Sequence, residues 1–138
     1  MPFAEEFDAA AVQLDTAAEE VAALLPPVRG SLGPQAIVGG TLAEAAELVV
    51  SRSEQVCGRA AAALRQLAAV CRQRAEVCRQ AEAAFAGYQA AQTTYQENQR
   101  LFQERQDRHA ADPATFPVPG QPPTAPGAPP APPAWVEF

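Results

Sequence analysis

Few side chains in this sequence have both the type and the spacing that chemistry needs. The strongest candidates are three cysteines, Cys57, Cys71 and Cys78. A disulfide between chains or a metal site would use such thiols. Metal ligands usually come as close pairs such as C-x-x-C, and no such pair is present. Seven residues along a helix rise roughly 10 Å, whereas bonded cysteines need their Cα atoms within about 7 Å. No two of these thiols can therefore bond within one straight helix. They share a stripe with Val50, Leu64 and Phe85, and the simpler reading is three small apolar side chains in a packed face.

The other candidates are weaker still. His109 is the only histidine, and it sits near the end of a helical run, where it complements the helix dipole. The acidic pairs Glu5-Glu6 and Glu19-Glu20 read as a solvated face, because nothing nearby would perturb their pKa values. The glycines at 30, 33, 39 and 40 fit neither phosphate-loop spacing, and no strand precedes them. With no nucleophile–base pair and no ligand cluster, no enzymatic activity, cofactor or metal is expected.

The elements that would position such residues are helices. From Thr41 to His109 there is no proline, and the only glycines are Gly58 and Gly87. Alanine, leucine, arginine, glutamine and glutamate fill the run, and all favour helix. Leu42, Val49, Val56, Ala63, Val70, Val77, Ala84 and Ala91 recur at seven-residue steps. A second stripe lies four residues on: Ala46, Ser53, Ala60, Leu67, Arg74, Ala81, Tyr88, Tyr95 and Phe102. Together they form the seam of a helix that packs lengthwise on other helices. Thr41 with Glu44 reads as a capping box at its start.

A first helix is expected over residues 3–25, with a seam of Phe3, Phe7, Ala10, Leu14, Ala17, Val21 and Leu24. Pro26-Pro27 should stop it, and residues 26–40 read as a connector, with Ala36, Ile37 and Val38 tucked over the bundle end. The first helix carries only negative charges, and the middle of the second is rich in arginine. That asymmetry favours an antiparallel hairpin, with residues 3–25 beside about 42–66 and Leu42, Val49 and Val56 facing the first helix.

The two lengths do not match: roughly 35 Å against about 100 Å at 1.5 Å per residue. Beyond residue 66 the seam continues through Val70, Val77, Ala81, Ala84, Phe85, Tyr88, Tyr95 and Phe102. Either the helix breaks near Gly87 and folds back, or another chain covers this stretch. Asp112-Pro113 should end the helix. Residues 113–138 are proline-rich and expected to be disordered or polyproline II. The expected architecture is all-α, with residues 1–112 as a helical hairpin and 113–138 as a tail.

Charge and hydropathy narrow the partners. The formal net charge of −6 argues against nucleic acid. All ten basic residues are arginine. No apolar run reaches the twenty or so residues of a membrane span, and the acidic start is unlike a secretory signal.

The layout resembles the small helical-hairpin proteins of actinobacterial type VII secretion, in particular the EspC-like "type VII secretion target" group, which is similar in build to the WXG-motif proteins. The resemblance lies in Leu14 to Leu25, in Gly39-Gly40-Thr41-Leu42, and in Leu64-Arg65-Gln66-Leu67 running to Phe85-Ala86-Gly87-Tyr88. It implies a non-enzymatic protein that leaves the cytoplasm folded, commonly as a dimer, for the cell envelope or beyond. The connector carries Gly30-Ser31-Leu32-Gly33 where the WXG turn would stand. Tyr88 and Gln92 occupy the spacing of the family's tyrosine-to-acid secretion signal, with glutamine in place of the acid. The leading expectation is a helical protein that pairs with another helical protein, as a secretion substrate, co-secreted partner or chaperone. The other is a homodimeric coiled-coil scaffold with a proline-rich arm.

Overall fold

The computed structural model describes residues 3–31 and 40–135. Among these the only regular elements are three helices: α1 (Phe3–Ala23), α2 (Leu25–Ser31) and α3 (Gly40–Ala111). The chain is all-helical, with one helix of 72 residues. It divides into two compact units, residues 1–76 and 77–138. The proposed tuck of Ala36, Ile37 and Val38 lies outside the described residues.

α1 ends at Ala23, ahead of Pro26-Pro27, and after a bend at Leu24 the two prolines lie in the first turn of α2, so part of the expected connector is helical. Proline suits a first helical turn, where its missing N–H would have no partner in any case. α3 begins at Gly40, so Thr41 lies inside its first turn rather than ahead of it. A one-residue difference is ordinary at a helix end. Gly87 does not break α3, and neither does Gly58.

In the first unit, the buried positions of α1 are Ala4, Ala11 and Ala18. Phe3, Phe7, Leu14 and Val21 are half-buried beside them, and Leu24 is 61% exposed. On α3 the buried positions of this unit are Val50, Ala61, Ala68 and Ala75. Both helices thus bury alanines at seven-residue steps. Alanine at such steps keeps one face flat, and small side chains permit the shorter interaxial distances of helix packing.

Side chains of α1 and α3 meet at Arg72 and Arg74. Arg72 pairs with Asp15, and the Arg74 guanidinium lies 5.9 Å from the centre of the Phe7 ring, within cation–π range. Arg29 of α2 reaches the earlier part of α3. Its Nε and Nη2 donate to both oxygens of Glu54 at 2.7 and 2.9 Å, and Nη2 donates also to Glu47 at 3.1 Å. Glu47, Glu54, Ala61, Ala68 and Ala75 occupy one heptad position. The residue type at that position follows its neighbour: glutamate where Arg29 lies, alanine further on, where the face is buried.

In the second unit, α3 runs on to Ala111. Its exposed surface is laced by local pairs: Arg100 with Glu97 at 2.6 Å and with Glu104, and Gln103 with Asp107 at 3.1 Å. Pairs three and four residues apart add support to an exposed helix face. A Cβ added at Gly87 would meet nothing within 4 Å. Gly87→Ala is therefore expected to raise stability by about 0.5–1 kcal/mol, because glycine is the poorer helix former. Thermal unfolding followed at 222 nm checks this; a lowered midpoint would mean that the glycine serves close packing.

After α3, residues 117–135 form neither helix nor strand, and the first part of this stretch stays beside the helix. Phe116 to Gly120 lie beside Arg105 and Arg108, and Pro123, Thr124 and Pro126 lie beside Ala91, Thr94, Tyr95 and Asn98. The tail thus runs back along α3. It covers about six residues, roughly 19 Å in polyproline II, while the helix covers about twelve, roughly 18 Å. Residues 113–138 are expected to be disordered or polyproline II, and residues 117–135 carry no helix or strand. Proline loses little backbone freedom on ordering, so modest contact is enough to hold it.

Candidate interaction surface

The apolar sector of α3 is wider than one helix can cover. In its first half, Val50, Ala61, Ala68 and Ala75 are buried, with Cys57, Leu64 and Cys71 half-buried. The expected seam positions Leu42, Val49 and Val56 are instead 64%, 63% and 64% exposed. Leu67 and Val70 are exposed as well. The buried face is thus displaced by one residue from the expected one, a turn of about 100° around the helix. The physical reason is size: a stripe of alanines admits a neighbouring helix closely, and the larger Val and Leu side chains are left on its flank.

What remains is a continuous stripe, Leu42, Val49, Val56, Leu67 and Val70, facing solvent on one side of α3. Solvent-facing apolar patches of this extent mark interaction surfaces more often than scattered single residues do. Arg74, expected in the seam, is exposed beside the Phe7 ring.

The second half of α3 differs. Of the residues expected to face a partner, Tyr88, Tyr95 and Phe102 are half-buried, as are Val77 and Ala81, whereas Ala84 and Phe85 are exposed. Tyr95 borders the tail prolines. Phe85 and Tyr88 sit with ring centres 6.4 Å apart. Gln92 donates its amide to the Tyr88 phenol oxygen at 2.8 Å, and Gln99 does the same to Tyr95 at 2.7 Å. The glutamine at the acid position of the signal-like spacing therefore engages its own tyrosine.

The turn that starts the tail is held by polar groups. His109 Nδ1 lies 2.7 Å from the Phe116 carbonyl oxygen, which can only accept, so this nitrogen carries the proton. The Asp112 carboxylate accepts from the backbone N–H of Ala114 and of Thr115, both at 3.3 Å. Hydrogen bonding by the Thr115 side chain, then by the two backbone groups, holds the Asp112 pKa below its usual 3.8. A carboxyl depressed in the folded state stabilises it above the unfolded pKa and stops doing so as pH falls through the folded value. The tail turn should accordingly loosen only below pH 3.8. Trp135 fluorescence against pH reads this, and Asp112→Asn, which keeps the turn but cannot titrate, should flatten that part of the curve. An identical curve in the variant would remove Asp112 from the account.

Cys57, Cys71 and Cys78 are free thiols, two half-buried and Cys78 buried. No group of three or more metal-ligating side chains gathers among the described residues. Among those residues no helix is long and apolar enough to cross a membrane. Comparison with protein-family models, with curated proteins and with solved structures finds no match for this chain.

Proposed function

We propose that this chain is a non-enzymatic helical interaction protein that pairs with a second helical protein through the flank of α3. In this reading α1 and the first half of α3 form an antiparallel hairpin, supported by the Arg72–Asp15 pair and the Arg74–Phe7 contact. The observation that carries the proposal is the solvent-facing stripe Leu42, Val49, Val56, Leu67 and Val70. Two helices with facing alanine seams leave these side chains uncovered, and a third helix laid along them would bury them.

The resemblance to the type VII secretion helical hairpins gives the biological setting. The chain is proposed to be a substrate or co-secreted partner of that system, cytoplasmic before export and then in the envelope or medium. Secretion is tested by assaying culture filtrate with and without an active secretion ATPase. Loss of the protein from the filtrate with the inactive ATPase supports export, and equal amounts would remove the export claim while leaving the pairing claim standing.

A further inference from the structure

We propose that the second half of α3 is a docking track for proline-rich polyproline II segments, and that the chain's own tail is its resident ligand. The proposal does not depend on the secretion reading or on the apolar stripe.

Three observations carry it. The first is pitch. Tyr88, Tyr95, Phe102 and His109 are half-buried and recur every seven residues, a rise of about 10.5 Å. Pro119, Pro123, Pro126, Pro130 and Pro133 are the half-buried residues of the tail beyond its opening turn. They step by four and three in alternation, a mean rise of about 10.9 Å at 3.1 Å per residue. The two ladders therefore have nearly the same spacing, and they meet where Tyr95 borders Pro123 and Pro126.

The second observation is chemical fit. A polyproline II strand has no internal hydrogen bonds, and proline has no N–H, so such a strand offers carbonyl acceptors and flat pyrrolidine rings. The track offers what those need: aromatic faces and phenol protons. Gln92 and Gln99 donate to the oxygens of Tyr88 and Tyr95, which orients each phenol and leaves its own proton for an acceptor. The third is neutrality. Residues 113–135 carry no charged side chain, so the ligand is selected by ring contact and carbonyl geometry rather than by charge.

The seated tail keeps the track closed to other chains. A tethered segment sees an effective concentration on the order of 1 mM, so a free proline-rich chain must compete with that. Proline-rich segments are recognised elsewhere by aromatic-lined grooves for the same low entropic cost.

The test uses the full chain carrying Pro123→Gly with Pro126→Gly, which frees the tail without touching α3, and a fluorescein-labelled synthetic peptide of residues 117–135. Circular dichroism should show unchanged helix content. Trp135, the only tryptophan, should lose about half its fluorescence anisotropy in the variant as the tail gains motion. The peptide should bind the variant saturably, with a dissociation constant below about 1 mM, as docking of a tethered tail requires. Binding to the unaltered chain should be at least about twofold weaker, because a tail at that effective concentration occupies half or more of the track. Adding Tyr95→Ala should abolish binding, and Tyr95→Phe, which keeps the ring and the helix, should weaken it about fivefold through the lost hydroxyl. Unchanged anisotropy, no saturation by about 1 mM peptide, or equal binding with and without the Tyr95 hydroxyl and ring would each overturn the proposal.

Discussion

Replacing Ala68 by leucine is expected to destabilise the protein by about 1–3 kcal/mol, the usual cost of forcing extra methylenes into a packed face. Ala68 has no exposed surface, and Ala61 and Ala75, one heptad to either side, are 2% and 0% exposed. A leucine there must push a neighbouring helix outward along its whole length, which loses contacts at the adjoining alanines too. For a folded region of this size the thermal midpoint should fall by about 4–8 °C per kcal/mol. Ala69→Leu is the matched control. Ala69 is the next residue but faces solvent, so its replacement should change stability by less than about 0.5 kcal/mol. Equal midpoints for the two variants would mean that the alanine stripe is not a packed seam.

Charging the open flank should have the opposite profile. Val56→Glu with Val70→Glu puts two carboxylates on side chains that are 64% and 44% exposed. Folding should change little, since exposed substitutions usually stay within about 0.5 kcal/mol each. Association with a helical partner should weaken at least about 100-fold, because a charge buried unpaired in an interface centre costs 2 kcal/mol or more. Sedimentation velocity reads the association and thermal unfolding reads the folding. A variant that unfolds would place these valines in the interior, and one that still associates would place the interface elsewhere.

The contrast between these variants shows how far the sequence alone reaches. The long helix was legible because nothing between Thr41 and His109 interrupts it, and Gly87 alone is too weak a breaker to do so. The face it buries was not legible from side-chain size. The bulky heptads Leu42, Val49 and Val56 invite the core assignment, yet burial falls one residue further round, on Ala61, Ala68 and Ala75. The signal that finds it is a matched one: alanine at seven-residue steps in both helices, at 4, 11 and 18 and at 61, 68 and 75. Glu47 and Glu54 ahead of the second run mark where Arg29 replaces that neighbour.

Pro26-Pro27 marks the end of α1 but hides α2, since the same ring that stops one helix suits the first turn of the next. The tail was the least legible part. Proline-rich composition says what a segment cannot form by itself, and the ladder it lies against is distant in sequence. The similar rise of the two ladders, seven helical residues against three and a half extended ones, is the one sign of that pairing within the sequence itself.

The uncovered flank of α3 is tested most directly by sedimentation equilibrium of the full chain alone. With no other partner present, a second copy should take the stripe. The account predicts a mass rising with concentration toward twice the 14.5 kDa of one chain, and a return to 14.5 kDa for Val56→Glu with Val70→Glu. A chain that stays at 14.5 kDa up to about 100 μM, a dissociation regime weaker than about −5.5 kcal/mol, would contradict it.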